Sequence, residues 1–297
     1  MSMERETTIG FIGLGQMGGN MVATLLRSFS DVMVFDIDEA RVERAAAAGA
    51  VAADDTASLV GSCATVMLSL PASHVTVEVL EEQVLPAVAE GTTVIDLGTT
   101  VVAETERLAG LFREKGAALV DAPVSGGPIG SAKGALYVFA GGEREAVRRA
   151  WSVLSTLGAG GRVTWCGPSG AGQVTKGVNQ LAMGLLSAAC MEAVGYGVAG
   201  GVDPAVLLQA VGGGGGFRAQ FEGVASRIVS GLGDTMDHKA AEFDYFLHEA
   251  DRNGFAAPML RGLADLVKDV PKSSRDNMNR PFAPFWSTMI DRKEDDS

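Results

Sequence analysis

Between residues 8 and 166, short apolar runs alternate with segments whose apolar positions recur every three or four residues. The runs at 8–12, 32–35, 65–68, 93–97, 118–120, 136–140 and 163–166 are rich in Val, Ile, Phe and Thr and read as strands. The periodic segments at 21–29, 38–48, 73–79, 101–115 and 143–157 read as helices. Alternation of this kind predicts an α/β domain built on a mostly parallel, doubly wound sheet. Ligands of such sheets bind beyond the carboxyl ends of the strands, which is where residues 69–71 and 98–100 are delivered.

At residue 169 the pattern changes. From Gly172 to Val202 the charged residues are Lys176 and Glu192 alone. A helix that is apolar all round belongs in an interior or between subunits. About 28 helical residues would span roughly 42 Å, longer than a small domain is wide, so this stretch predicts an interdomain helix that forms the spine of a second domain. Helical segments at 204–211, 217–229, 237–253 and 258–270 then predict that this C-terminal domain is all-helical. The domains are expected at 1–167 and 168–297. The five glycines at 212–216 join two helices, either flexibly or in tight packing. Phe243, Tyr245 and Phe246 read as core, Phe282, Phe285 and Trp286 as the anchor of a short terminal helix, and residues 292–297 as a frayed end.

Composition narrows the class of protein. Apolar residues make up 47% and charged residues 20%, enough for two real cores. A formal charge of −12 with no basic cluster argues against nucleic acid or anionic membrane as partner. Cys63, Cys166 and Cys190 are widely spaced and contain no C-x-x-C pair, which suits a reducing compartment. His74, His238 and His248 lack metal-ligand spacing, so no metal is expected. The polar, acidic start is not a signal peptide, and the longest uncharged apolar run, 177–191, is shorter than a membrane span. The expectation is a cytoplasmic protein.

The first strand runs into Gly13-Leu14-Gly15-Gln16-Met17-Gly18, then a helix, then a second strand ending in Asp36. Strand, G-x-G-x-x-G, helix, strand and acid is the order of a dinucleotide site. The glycines allow a tight turn and close approach of a pyrophosphate, which sits on the N–H groups of the helix N-terminus. Asp36 follows Gly13 at about the spacing of a carboxylate that accepts ribose hydroxyls. Farther on, Lys176 stands near the start of a buried helix, where the macrodipole disfavours a cation, with Asn179 and Gln180 on the same face. Such a lysine is either paired structurally or lowered in pKa for chemistry, and this stretch alone leaves both open.

Three stretches together, GFIGLGQMGGNM at 10–21, DAPVSGG at 121–127 and GAGQVTKGVNQ at 170–180, resemble the signatures of the β-hydroxyacid dehydrogenases. The family includes 3-hydroxyisobutyrate dehydrogenase and tartronate semialdehyde reductase, with 6-phosphogluconate dehydrogenase as a relative. The resemblance covers residues 8 to 270 and implies an N-terminal Rossmann-type domain, a long interdomain helix and a helical C-terminal domain carrying the dimer contact. A homodimer or homotetramer is therefore expected. It implies that Gly13, Gly15, Gln16, Met17 and Gly18 form the phosphate turn and that Asp36 binds the ribose. Leu70, Pro71 and Thr99 would stand beside the cofactor. Ser125, Gly126, Gly127 and Asn179 would hold a substrate carboxylate, and Lys176 would be the general acid–base group. A buried ammonium whose pKa is lowered can take the hydroxyl proton as hydride leaves.

NAD is expected over NADP, because Asp36 would repel a 2′-phosphate and the nearest following arginine is Arg41. Departures from the family pattern are Gly98 in place of a serine, Ala241-Glu242-Phe243 in place of a Lys-Asp-Leu triplet with Lys239 two residues earlier, and the segment at 282–286. The alternatives are a related imine or ketone reductase, which usually has Asp or Tyr at the lysine position, and a non-catalytic dinucleotide-binding module.

Overall fold

The computed structural model describes residues 8–230 and 236–267, without the side chains of residues 199, 236–241, 266 and 267. They divide into two compact units that meet in sequence between Gly177 and Val178.

The first unit opens with β1 (Ile9–Ile12), α1 (Gln16–Leu25), β2 (Val32–Phe35), α2 (Glu39–Ala47), β3 (Val51–Ala52) and α3 (Thr56–Ser62). Next come β4 (Thr65–Leu68), α4 (Ser73–Glu78), a π-helical stretch at Val79–Val84, α5 (Leu85–Ala87), β5 (Thr93–Asp96) and α6 (Val102–Glu114). The unit continues with β6 (Ala118–Asp121), β7 (Val124–Ser125), α7 (Gly127–Lys133), β8 (Tyr137–Gly141), α8 (Arg144–Leu157) and β9 (Val163–Gly167). Strand order is β3-β2-β1-β4-β5-β6-β8-β7, with β9 beside β8. Every pair from β3 to β6 is parallel, and β8 runs antiparallel to both β6 and β7. This is a Rossmann-type doubly wound sheet with an antiparallel extension. The order reverses between β1 and β4, the switch point at which such sheets bind ligands.

Both faces of the sheet are covered. One core gathers Phe11, Met21, Leu25, Val34, Met67, Ile95, Val120 and residues of α8. The other gathers Leu59, Val66, Leu68, Val94, Leu108, Phe112 and Leu119. Alternate residues of each strand point to opposite faces, which is why the strands read as unbroken apolar runs. The carboxyl ends are in step: Ser69 N donates to Ile12 O (2.9 Å), Gly13 N to Phe35 O (2.9 Å), Leu97 N to Leu68 O (2.9 Å) and Ala122 N to Asp96 O (2.7 Å).

The long helix α9 (Ala171–Ala199, 29 residues) is followed by α10 (Pro204–Val211), α11 (Phe217–Val229), α12 (Met236–Arg252) and α13 (Pro258–Val267). Met191, Val194, Phe221, Val224, Ala225, Phe243, Leu260 and Leu263 form the core of the second unit. Phe243 is therefore core as expected, with Phe246 packed against it. Pro204 follows the capping Asp203, whose side chain accepts from Ala205 N, and fixes where α10 begins.

Two expectations for α9 need correction. Judged by length and composition, Ala171–Val198 is long and apolar enough to cross a membrane, because the helix runs past the uncharged stretch and carries few charges. Its first turns are nonetheless bonded into the first unit through Gln173 and Lys176. Nor is the helix buried all round: Val178 is 63% exposed and Tyr196 86%. Of the two homes open to an all-apolar helix, the interior accounts for only part of this one.

Candidate active site

The turn after β1 owes its shape to its glycines. Gly13 has φ +91°, and a Cβ there would lie 2.5 Å from Ser69 O and 2.9 Å from Leu70 Cδ2. A Cβ on Gly18 would overlap the carbonyl oxygen of Gly13. Gly15 is different: its open face meets nothing nearer than an Arg41 guanidinium nitrogen at 3.8 Å. Gly15 is the N-cap of α1 and makes no side-chain cap bond, so among the described residues no capping side chain takes the first N–H groups from an anion. Gln16 is exposed, whereas Met17 is half-buried and packs on the core. Close backbone approach, an uncapped helix end and an acid on β2 fit a dinucleotide.

Asp36 stands at the tip of β2 with its side chain 6% exposed. Its Oδ2 accepts from Leu14 N (2.5 Å) and its Oδ1 from Asp38 N (2.9 Å), so the acid braces the glycine turn as well as facing its rim. Arg41 reaches the same rim, 3.8 Å from Asp36 Oδ2 and 3.0 Å from Asp38 Oδ2. Sequence distance concealed this: five residues on, the first turns of α2 bring the guanidinium back over the end of β2. Ile37, next to Asp36, is 94% exposed.

Across the switch point stand Leu70, which packs on the core, and Pro71, which is exposed. The loop after β5 carries half-buried Thr99 between two held neighbours. Gly98 N donates to Asp96 Oδ1 (2.8 Å), Thr100 Oγ1 to Asp96 Oδ2 (2.6 Å) and Val101 N to Ser73 Oγ (3.0 Å).

Ser125 ends β7 and is half-buried, while Gly126 and Gly127 begin α7 and are exposed. Gly126 has φ +134° and Gly127 φ +61°, so the backbone alone asks for glycine at both. The backbone conformation therefore accounts for the glycine pair by itself, whatever binds there. α7 lies along α1: Asn20 Nδ2 donates to Pro128 O (3.3 Å) and Thr24 Oγ1 to Ser131 O (2.8 Å). α1 and the helix that follows the Ser125 loop are thus joined.

Lys176 is 8% exposed and its Nζ donates to Val124 O at 2.8 Å, one residue before Ser125. The lysine and the DAPVSGG loop are therefore brought together. Asn179, one turn on, bonds along its own helix to Gln180 Oε1 (3.5 Å) and Met183 Sδ (3.4 Å). Gln180 in turn donates to Glu242 Oε2 (2.8 Å). The side chains of Lys239 and Ala241, and the segment at 282–286, lie outside the described residues.

Sequence reasoning missed two buried acids and an amide. Asp96 and Asp121 close the apolar strands β5 and β6, and that placement was the available signal: a carboxylate ending a buried strand must find donors. Asp121 Oδ1 accepts from Gly170 N (3.0 Å) and Oδ2 from Gln173 N (3.1 Å), which caps α9 from another part of the chain. Burial pushes Asp121 up to about 7 and Asp96 up to about 6, against these hydrogen bonds. Gln173, 2% exposed, bonds to Asp96 and to the loop after β5.

Two family models together span most of the chain. A sequence model of the NAD-binding domain of 6-phosphogluconate dehydrogenase matches residues 8–167. A second, described as the NAD-binding of NADP-dependent 3-hydroxyisobutyrate dehydrogenase, matches residues 170–278. NAD-dependent L-serine dehydrogenase of Pseudomonas aeruginosa is 32% identical over 268 residues, covering 90% of this chain and 86% of its own. The 3-hydroxyisobutyrate dehydrogenase of the same organism is 38% identical over 205 residues, 68% of each chain. A solved structure of Mycobacterium tuberculosis 3-hydroxyisobutyrate dehydrogenase with L-serine superposes with a TM-score of 0.78 at 26% identity, covering 95% of this chain and 99% of that one. With both halves matched in order and relatives of this identity and coverage, the chain belongs to the β-hydroxyacid dehydrogenase family.

Proposed function

We propose that the protein oxidises the hydroxyl of a small 3-hydroxy acid, or reduces the matching semialdehyde, with Lys176 as general acid–base. The observation that carries this reading is the buried Lys176 Nζ, 2.8 Å from Val124 O and next to Ser125. Bound NAD supplies the hydride acceptor. Gly13, Gly15, Gln16, Met17 and Gly18 receive its pyrophosphate, and Asp36 takes the ribose hydroxyls while bracing the turn. Leu70, Pro71 and Thr99 line the nicotinamide side. Ser125, Gly126, Gly127 and Asn179 fix the substrate carboxylate, which orients the hydroxyl towards Lys176.

Lysine suits this task because its ammonium is buried and donates to a carbonyl, and shedding a proton inside a protein relieves the cost of a desolvated charge. The neutral amine accepts the hydroxyl proton as hydride departs, and in reduction the ammonium returns it.

We assign cofactor binding to a domain at 1–167, and substrate binding and self-association to one at 168–297, working as a homodimer or homotetramer in a reducing cytoplasm. NAD is the preferred cofactor: Arg41 is already shared between Asp36 and Asp38, so one guanidinium faces two carboxylates where a 2′-phosphate would sit. Following nicotinamide absorbance over a panel of 3-hydroxy acids and semialdehydes tests the reading. It expects turnover of at least one small carboxylate-bearing substrate, and none across the panel would sink it.

A further inference from the structure

Gln173 takes no part in the proton or hydride transfer, yet its backbone N–H and both ends of its carboxamide are hydrogen-bonded. It lies in the first turn of α9, and its backbone N donates to Asp121 Oδ2 at 3.1 Å. Its carboxamide turns the other way, towards the loop after β5. Oε1 accepts from Thr100 N (3.1 Å), and Nε2 donates to Gly98 O (3.1 Å) and Asp96 Oδ2 (3.4 Å). The Gly98 carbonyl belongs to the peptide before Thr99, and the Thr100 N–H to the peptide after it. One side chain therefore grips both peptide groups that flank Thr99, and Lys176 follows three residues later on the same helical face.

The surroundings leave this grip little slack. A Cβ on Gly172 would overlap Phe139 O, and one on Gly141 would lie 2.5 Å from Asp121 Oδ2, so the turn is pressed against the sheet edge. Asp96 anchors the same loop from below through Gly98 N and Thr100 Oγ1. Glutamine is the side chain that fits, because the site asks for an acceptor and a donor at one reach. Glutamate would set a second carboxylate beside Asp96, and methionine would match the length with no polar atoms to offer.

We propose that Gln173 is a positioning residue for hydride transfer: its carboxamide ties the cofactor-side loop at Thr99 to the helical turn bearing Lys176, so that both keep one fixed geometry. The inference rests on the roles proposed for Thr99 and Lys176. Nothing in it requires Gln173 to touch substrate or cofactor. Because the glycine turn and Asp36 hold most of the cofactor, loosening this tie should cost rate and spare affinity.

The test is Gln173→Met, with Gln173→Asn as a second variant that keeps an amide one methylene short. Each is measured for kcat and KM on the best substrate of the panel, for NAD Kd by direct fluorescence titration, and for the primary isotope effect of deuterium at the transferred position. Gln173→Met should lower kcat by a factor on the order of 10–100, the scale on which about 1 Å of misplacement acts. NAD Kd should move less than about threefold and the isotope effect should rise, while Gln173→Asn shows the same pattern more weakly. A folded Gln173→Met within twofold of the parent kcat overturns the proposal. So does a loss of rate matched by an equal loss of NAD affinity, and so does failure of both variants to fold, since Gln173 is then a core residue only. Lys176→Ala in the same assay separates the two layers. If it keeps the parent rate, the functional reading fails; if it is slow while Gln173→Met is unimpaired, only the positioning role falls.

Discussion

At the scale of single residues, the cofactor end of the site rests on contacts with no room to give. Gly18 is the sharpest case, because a methyl group there would overlap the Gly13 carbonyl, which is backbone and cannot step aside. Gly18→Ala should therefore open the turn, weaken NAD binding at least tenfold and lower Tm by several degrees; a titration and a melt that both match the parent would show the turn to be softer than its packing. Gly126 teaches the opposite lesson. Its φ of +134° makes any side chain strained whatever binds nearby, so enlarging it does not report on a substrate. Arg41 carries the prediction on cofactor choice. With its guanidinium shared by Asp36 and Asp38, kcat/KM should favour NAD, and Arg41→Ala should widen that preference by removing a positive charge from the rim. A parent enzyme that prefers NADPH would mean that Arg41 leaves its aspartates for the phosphate.

At the scale of elements, the junction of β5, β6 and α9 is the least ordinary part of the first unit. Two buried carboxylates accept the N–H groups of a loop and a helix end, and burial still pushes them up to about 6 and about 7. The folded state then keeps protons that the unfolded chain releases near pH 4. Their contribution to stability is fully present below the unfolded pKa and is lost as pH rises through the folded values. Asp121→Asn should flatten the dependence of urea midpoint on pH between about 4 and 7, and an unchanged slope would mean that Asp121 is ionised throughout. Little of this junction was legible beforehand. Strands such as Val32–Phe35 and Thr65–Leu68 announce themselves locally, because each is a β-branched run cut off by turn residues. β3 and β7 have two residues each, and α7 is a seven-residue helix with two glycines, a proline and a serine, so local pattern carries no signal for them. The bonds of Gln173 to Thr100 and of Gly170 to Asp121 join residues 73 and 49 positions apart, and only the closed sheet brings them together. The glycine turn, Asp36 and Lys176 could be found from sequence because they are motif residues at set spacings. Their surroundings could not, since those depend on which strands become neighbours.

At the scale of the whole molecule, apolar surface asks for a partner. Val178 and Tyr196 of α9, Val206 of α10 and Phe217 of α11 are all more than half exposed. A helix this apolar is stable in water only if something covers it. Light scattering on a sizing column should give at least twice the chain mass of 30.7 kDa, and a monomer at micromolar concentration would leave that surface unexplained. The central claim, however, is chemical: a buried lysine beside the Ser125 loop moves the proton while hydride is exchanged. The most direct measurement is kcat for Lys176→Ala on the substrate found by panel, with its fold verified by circular dichroism. A proton-transferring lysine predicts a loss on the order of 10²–10⁴ with NAD Kd nearly unchanged, and a similar loss for Lys176→Arg, whose guanidinium cannot act as a base. A folded Lys176→Ala protein that turns over at the parent rate would contradict the account.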